Sequence, residues 1–301
     1  MTISFEGRVA IVTGAGGGLG RAYALALARR GARVVVNDLG GARDGSGTSD
    51  AAARVVAEIE AAGGEALANG ANVSDFDQVQ AMVAAARERW GGVHILINNA
   101  GILRDKSFAK MDMADFRTVV DVHLLGSAHC AKAVWDVMRE QGHGRILMTS
   151  SSSGLYGNFG QANYGAAKLG ILGLARTLSI EGAKHGIHVN TIAPTAATRM
   201  TEDLFPPAML SAFNPEAVVP AALFLVSEAA PTNAIVGAGA GVVQAAYLTL
   251  TPGVALPEPT PEAVAANWAA ITDRTGEIVP QAGAEQSMAI LKTLQARSSP
   301  S

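Results

Sequence analysis

Three side chains of this sequence have the types and the spacing for acid–base chemistry at an oxygen atom. Tyr164 and Lys168 are four residues apart in a segment with helical periodicity, so both lie on one face of the predicted helix. A phenol has a pKa of ~10, and a neighbouring ammonium group lowers that value because it favours the phenolate. Ser151, at the end of a predicted strand, offers a hydroxyl to a carbonyl or alkoxide oxygen. A core tyrosine and a surface lysine give the same spacing, so the residues alone leave both interpretations open.

A glycine-rich loop follows the first predicted strand, Arg8–Thr13, and precedes a helical segment. Such a loop brings backbone N–H groups to a phosphate at the amino end of the helix, which indicates a dinucleotide site. Asp38 ends the second strand, where a carboxylate accepts hydrogen bonds from a ribose 2′-hydroxyl and repels a 2′-phosphate. NAD is therefore favoured over NADP, although the nearby Arg43 weakens that preference, and a glycine turn without a ligand is the alternative. The loop residues predicted to contact the cofactor are Gly14, Gly18, Leu19 and Gly20.

Strand-like and helix-like segments alternate over the first 200 residues, and the strands are nearly continuous apolar runs. This pattern predicts an α/β fold, a doubly wound parallel sheet (Rossmann fold) with helices on both faces. The predicted strands are Arg8–Thr13, Arg33–Asn37, Glu65–Asn69, Val93–Asn98, Arg145–Ser150 and Ile187–Ile192. After about residue 250 the pattern changes to a proline-rich stretch and two short helical segments. We expect one cofactor-binding domain over residues 1–250, with a substrate lid near 195–215, and a C-terminal extension over 251–301 that packs on the same domain or on a partner subunit.

The composition of the 301 residues excludes several classes of protein. Hydrophobic residues make up 49% and charged residues 16%, so the chain can bury a core and is not disordered. The net charge is −3 without a basic stripe, which disfavours nucleic-acid binding. The uncharged stretch between Glu228 and Glu258 is interrupted too often by glycine for a membrane-spanning helix. The lone Cys130 excludes a disulfide framework and a cysteine-built metal site, and with the absence of a signal peptide it predicts a cytoplasmic protein that binds no metal.

Together these motifs resemble the short-chain dehydrogenase/reductase superfamily, and the resemblance covers roughly residues 6–245. It implies that Tyr164 is the general acid/base, that Lys168 lowers its pKa and holds the nicotinamide ribose, and that Ser151 orients the reacting oxygen. It further implies that Asn99 lines the cofactor path and that Pro194 contacts the nicotinamide end. Where the family usually has Asp-Val at the adenine ring, this sequence has Asn72-Val73. The cofactor contacts implied by the resemblance are Asn72, Val73, Asn99, Ala100, Gly101, Tyr164, Lys168 and Pro194.

One position departs from the superfamily pattern. An Asn-x-x-Gly string is usual in the helix before the catalytic strand, whereas this sequence has His123-Leu124-Leu125-Gly126. The asparagine of the family holds a water molecule in a proton relay. An imidazole at position 123 either takes over that catalytic role, in which case its tautomer matters, or is a buried histidine satisfied by the backbone.

Finer features resemble one branch of the superfamily, the (3R)-hydroxyacyl-CoA dehydrogenase region of the peroxisomal multifunctional enzymes of type 2. The segments that carry this resemblance are NDLGG at 37–41, NAGILRD at 99–105, GLYGNFGQANY at 154–164 and TPEAV at 260–264. It implies NAD-dependent oxidation of a secondary alcohol, (3R)-3-hydroxyacyl-CoA, to 3-oxoacyl-CoA, and a homodimer or tetramer. A hydroxysteroid or other bulky-alcohol dehydrogenase, an acyl-carrier-protein ketoreductase and a non-enzymatic cofactor sensor are the alternatives.

The substrate is expected to be a small molecule, acyl-CoA or steroid-like, that meets the predicted lid. An apolar set there suits an acyl chain or a steroid, and three basic residues are placed to meet the phosphates of coenzyme A. The apolar set is Met200, Leu204, Phe205, Met209 and Phe213, and the basic residues are Arg104, Lys106 and Arg199. A lid that packs on its own domain and a solvated charged rim are the competing interpretations.

Overall fold

Short runs of apolar and β-branched residues form the strands of one sheet, and three central strands are buried along their whole length. The computed structural model describes residues 2–197 and 210–298. The strands are β1 (Val9–Thr13), β2 (Arg33–Asn37), β3 (Glu65–Asn69), β4 (Ile95–Asn98), β5 (Gly144–Thr149), β6 (Ile187–Pro194), β7 (Ile235–Gly239) and β8 (Val242–Ala246).

The strand order is β3-β2-β1-β4-β5-β6-β7-β8, and the neighbours from β3 to β7 run parallel. β1 pairs with both β2 and β4, with Val12 beside Val36 on one side and Ile97 on the other. The winding of the chain reverses there, which opens a crevice at the carboxyl ends of the strands. The two residues that join β7 to β8 allow only an antiparallel pairing. The doubly wound parallel sheet predicted from the sequence is confirmed, with β8 added at one edge.

Helices cover both faces of the sheet. They are α1 (Gly18–Ala28), α2 (Ala51–Ala61), α3 (Phe76–Trp90), α4 (Met113–Val120), α5 (Gly126–Gln141), α6 (Ser152–Tyr156), α7 (Ala162–Gly182) and α8 (Val219–Leu225). Three further helices follow in the chain after the sheet: α9 (Pro261–Ala266), α10 (Trp268–Ile271) and α11 (Gly283–Ser298). The sheet has a hydrophobic core on each face, and alternate residues of a strand pack in different cores because successive side chains point to opposite faces. Ala10 and Val12 pack in the core that includes α1, α2 and α8, and Val9 and Ile11 pack in the core that includes α3, α5 and α7.

Helical periodicity predicts one helix from Asp112 to Arg139, whereas the structure divides this segment. The α4 helix is followed by a single π-helical turn, Asp121–Leu125, before α5 begins. Such bulges are frequent at functional sites, because they displace side chains from their regular helical positions. This one contains His123.

The chain divides into two compact units, Met1–Ala245 and Ala246–Ser301. The first contains the sheet and the helices up to α8. The second contains α9 to α11 and an antiparallel bridge between Leu250 and Ile278. Across the described residues, no helix is both long and apolar enough to span a membrane.

Candidate active site

The turn from β1 into α1 depends on glycine at two positions. Gly14 has a φ of +63°, and a Cβ added to it would lie 2.8 Å from the Cα atom of Ala100. Gly20 lies in the first turn of α1, where a Cβ would overlap the carbonyl of Gly14. Beside Gly17 the loop leaves open space, since an added Cβ would meet no protein atom within 4 Å. The backbone of this loop can therefore meet a phosphate directly.

The carboxylate of Asp38 organises the loops around this turn. Its Oδ2 atom accepts a hydrogen bond from the Gly16 N–H at 2.8 Å, and its Oδ1 atom accepts one from the Gly40 N–H at 2.7 Å. A carboxylate has about four acceptor sites, so each oxygen keeps one for a further donor such as a ribose hydroxyl. Asp38 is thus both a structural link and a candidate ribose ligand.

A second connection joins the glycine loop to the end of β4. Thr13 Oγ1 accepts hydrogen bonds from the backbone N–H groups of Asn99 and Ala100, at 3.0 and 3.1 Å. The side-chain amide of Asn99 donates in return to the carbonyls of Thr13 and Gly14. Thr13 was not among the predicted site residues, although it stands at the start of the glycine motif. These bonds fix the two loops that face each other across the crevice.

A cavity of about 570 Å³ opens between these loops, and nine of the predicted cofactor residues line it. They are Gly14, Gly18, Leu19, Asp38, Asn72, Val73, Asn99, Ala100 and Gly101. Further residues on its wall, not assigned to the cofactor from the sequence, include Gly17, Asn37, Ile102, Thr118 and Val122. Four predicted cofactor residues are not among the lining residues: Gly20, Tyr164, Lys168 and Pro194. Gly20 packs inside α1 against the loop, and Pro194 pairs with Ala238 at the end of β6. The bare backbone of the cavity and the Asp38 carboxylate, a candidate ribose ligand, fit a dinucleotide.

The three predicted catalytic side chains are brought together. Ser151 caps α6 and forms a side-chain hydrogen bond with Tyr164, which lies in the first turn of α7. The Nζ atom of Lys168, one turn later in α7, lies 5.5 Å from the centre of the Tyr164 ring. Lys168 also donates a hydrogen bond to the Thr149 carbonyl at 2.7 Å, which secures it to the end of β5. Parallel strand ends and one helix therefore position all three groups.

Burial shifts the pKa values of both titratable groups toward their neutral forms. Desolvation raises the pKa of Tyr164 to about 12, and the hydrogen bond from Ser151 opposes part of that shift. Desolvation lowers the pKa of Lys168 to about 7. Burial therefore sets the direction of the Tyr164 pKa shift, and the lowering of that pKa by the charge of Lys168 stays a prediction. An ammonium and a phenolate formed together compensate each other's charge in this dry environment.

His123 is fully buried and makes its contacts through one ring nitrogen. Its Nε2 atom lies 3.1 Å from the Ile102 N–H and 2.8 Å from the Ile102 carbonyl, while its ring meets that of Tyr164 edge-on with the centres 5.1 Å apart. Nδ1 has no hydrogen-bond partner among the residues that the structure describes. Burial, reinforced by the charge of Lys168, lowers the pKa of His123 to about 3, so the imidazole is neutral. The backbone contacts support the structural interpretation, and the catalytic role stays a prediction.

Most of the predicted lid lies outside the described residues. This applies to Arg199, Met200, Leu204, Phe205 and Met209. Phe213 is described, and its carbonyl accepts a hydrogen bond from the Ala197 N–H at 2.6 Å. Of the basic residues proposed for coenzyme A, Arg104 and Lys106 both pair with Asp115, at 2.9 and 3.3 Å.

Comparison with known proteins decides the family of this site. A family model for short chain dehydrogenases matches residues 8–208, two thirds of the chain. The chain belongs to this short-chain dehydrogenase family. It is 47% identical, over 99% of its length, to the peroxisomal multifunctional enzyme A of Dictyostelium discoideum, of which it spans 67%. It also resembles the solved full-length peroxisomal multifunctional enzyme type 2 of Drosophila melanogaster, with a TM-score of 0.83 and 39% identity over 98% of this chain and 50% of that one.

A third relative is a 7α-hydroxysteroid dehydrogenase solved with NADH and a 7-oxo bile acid. It shares 32% identity with a TM-score of 0.71, over 80% of this chain and 96% of that one. As a short-chain dehydrogenase, the protein is an oxidoreductase that acts on CH–OH groups and uses a nicotinamide cofactor. Two of these relatives are named as peroxisomal, and the cytoplasmic location expected from the sequence stays a prediction. The homo-oligomer also stays a prediction.

Proposed function

We propose that the protein oxidises (3R)-3-hydroxyacyl-CoA to 3-oxoacyl-CoA with NAD⁺. The observation that carries this proposal is the similarity to the peroxisomal multifunctional enzymes, which extends over 99% of the chain and thus beyond the part common to the family. The segments quoted above at 99–105 and 154–164 meet next to Tyr164, where the side-chain amide of Asn163 donates a hydrogen bond to the Arg104 carbonyl and that of Gln161 donates one to Asp105. The chain spans only part of the length of these relatives, so the activities of their other parts are not proposed for this protein.

The side chains divide the reaction between them. The Tyr164 phenolate removes the proton of the 3-hydroxyl group, and the Ser151 hydroxyl donates a hydrogen bond to the same oxygen. Lys168, with its Nζ atom 5.5 Å from the centre of the Tyr164 ring, supplies the positive charge that stabilises the buried phenolate. NAD⁺, when bound, would supply the acceptor for the hydride of the 3-carbon. The alcohol thus loses one proton to Tyr164 and one hydride to the cofactor, which gives the ketone.

Asp38 supports NAD over NADP. Its carboxylate faces the cofactor cavity, and both of its oxygens are held in place by backbone N–H groups. A fixed negative charge there repels the 2′-phosphate of NADP while it accepts hydrogen bonds from the ribose of NAD.

The surface beside the catalytic residues supports an apolar substrate. The chain between Ser151 and Tyr164 contains no charged residue, and it exposes Tyr156 (77%) and Phe159 (90%). These aromatic rings provide apolar surface that an acyl chain can cover. A hydroxysteroid is the second candidate substrate, favoured by the likeness to the 7α-hydroxysteroid dehydrogenase structure.

The proposal is tested by NAD⁺ reduction with the purified protein and a panel of alcohols. The panel contains (3R)- and (3S)-3-hydroxyacyl-CoAs of short, medium and long chain length and several hydroxysteroids, each with NAD⁺ and with NADP⁺. We expect the highest kcat/KM with a (3R)-3-hydroxyacyl-CoA and NAD⁺. A higher kcat/KM with a hydroxysteroid, or with the (3S) isomers, would contradict the proposed substrate.

A further inference from the structure

The loop between β2 and α2, residues 38–50, forms one wall of the cofactor cavity although its tip is exposed to solvent. Hydrogen bonds within the loop shape this tip. The Ala42 N–H donates to the Ser46 carbonyl at 2.7 Å, and the Gly45 N–H donates back to the Ala42 carbonyl at 3.0 Å. These bonds form a local turn, but they do not attach the turn to the rest of the protein.

The segment after β4 provides attachments for the loop. The Leu103 N–H donates to the Arg43 carbonyl at 3.0 Å, and the Nε atom of Arg104 donates to the Asp44 carbonyl at 3.1 Å. The same guanidinium donates through Nη1 to the Asp115 carboxylate in α4, at 2.9 Å. The side chain of Arg104 therefore bridges the exposed loop and a helix of the main body.

The backbone of Arg104 is fixed from the opposite side. Its carbonyl accepts a hydrogen bond from the side-chain amide of Asn163 at 3.0 Å, and Asn163 directly precedes Tyr164 in α7. The Asp115 carboxylate is only one-fifth exposed and receives both Arg104 and Lys106. The backbone of Arg104 and the carboxylate of Asp115 are thus both held by contacts within the protein.

We propose that Arg104 is a positioning residue for the cofactor: it holds the Asp38–Asp50 loop against the cavity by its bond to the Asp44 carbonyl. This role rests on the assignment of the cavity to a nicotinamide dinucleotide, and it is independent of the alcohol that the enzyme oxidises. The planar guanidinium is required because it presents two donors in fixed directions, one to Asp44 and one to Asp115. A lysine at position 104 can pair with Asp115, but it cannot hold both acceptors in this geometry.

Arg104 also lines the cavity, so its positive charge could instead attract the cofactor's phosphates directly. The two roles predict different results for a lysine. Arg104→Lys keeps the positive charge but loses the two donors in fixed directions. A positioning role therefore predicts weak cofactor binding for both Arg104→Lys and Arg104→Ala. A direct charge role predicts wild-type binding for Arg104→Lys alone.

The test is the dissociation constant of NADH, measured by fluorescence titration without an alcohol substrate. We expect the constant to rise about tenfold in both Arg104 variants, equivalent to about 1.4 kcal/mol. In steady-state assays, the KM for NAD⁺ should rise by a larger factor than kcat falls. Lys106→Ala is the matched control, because it also removes one cation from Asp115 but leaves the Asp44 contact intact. Its NADH affinity should stay within about twofold of the wild type.

Hydrogen exchange on the protein without NADH provides a second readout. Peptides that cover residues 39–49 should exchange faster in Arg104→Lys than in the wild type, whereas peptides from α7 should be unchanged. Wild-type NADH affinity in Arg104→Lys, an equal loss of affinity in Lys106→Ala, or unchanged exchange in the loop would each overturn the proposal. Neither the NADH titration nor the hydrogen exchange uses an alcohol. Their outcome is therefore independent of the substrate panel, and either the positioning role or the proposed function can fail while the other holds.

Discussion

The buried ammonium of Lys168 makes the stability of the protein depend on pH in a direction that can be calculated. Burial lowers its pKa from 10.5 to about 7. Below the folded-state pKa, the folded and the unfolded chain both carry the proton, and the folded chain bears the full cost of a desolvated charge. As the pH rises from about 7 to 10.5, the unfolded state binds more protons than the folded state, so the stability of the protein increases.

The magnitude follows from the size of the shift. About 3.5 pKa units at 1.36 kcal/mol each correspond to ~5 kcal/mol in total, of which ~4 kcal/mol falls between about pH 6 and about pH 10. Lys168→Met removes the titration and keeps the length of the side chain. It leaves the Thr149 carbonyl without its donor, a cost of about 1–3 kcal/mol that does not change with pH. The variant is therefore expected to be more stable than the wild type at about pH 6 and less stable at about pH 10.

Urea unfolding of both proteins, followed by circular dichroism at about pH 6, 8 and 10, measures this difference. Lys184→Met is the control, because Lys184 is exposed just beyond the end of α7, and its effect on unfolding should be the same at each pH. A Lys168→Met difference that changes by less than about 1 kcal/mol across this range would refute the reasoning. During the reaction, a phenolate at Tyr164 offsets the free-energy cost of burying the Lys168 ammonium.

Three further predictions concern single side chains. Tyr23→Phe should stabilise the protein by about 1 kcal/mol in urea unfolding, because the buried Tyr23 hydroxyl finds no partner within the described chain; a destabilised variant would contradict this. In Gly101→Ala the new Cβ overlaps the His123 ring, so we expect a loss of about 1–3 kcal/mol that a simultaneous His123→Ala relieves; strictly additive losses would argue against this contact. Asp38→Asn should lower the ratio of kcat/KM with NAD⁺ to that with NADP⁺ about tenfold, and an unchanged ratio would remove Asp38 from the ribose site.

The strands and the carboxyl-end site could be predicted because they depend on local pattern. Arg33–Asn37 and Glu65–Asn69 are strands with the same bounds in the sequence analysis and in the structure. A short apolar run between turn signals predicts both the type of element and its ends. Ser151 lies just beyond the end of β5 and Tyr164 lies in the first turn of α7, so both follow the same strand and could be paired from their spacing.

Features that arise from packing could not be read from the sequence. The helical periodicity from Asp112 to Arg139 contains no signal for the π-helical turn at Asp121–Leu125, which places His123 against Ile102. The pKa of Tyr164 depends on how completely the surrounding chain excludes water from its hydroxyl group. The spacing between Tyr164 and Lys168 in the sequence does not predict that burial. The Arg104 bridge joins two loops about 60 residues apart, 44 and 104, whose proximity only the folded sheet determines.

The central claim is that Tyr164 exchanges the proton of the substrate hydroxyl, and Tyr164→Phe tests it most directly. The variant keeps the ring against His123 and removes only the phenolic oxygen. It is assayed for NADH affinity and, at saturating NAD⁺, for oxidation of the alcohol that the panel identifies as the best substrate. The account predicts NADH affinity within a small factor of the wild type and turnover lower by roughly a thousandfold. Turnover close to that of the wild type would contradict it.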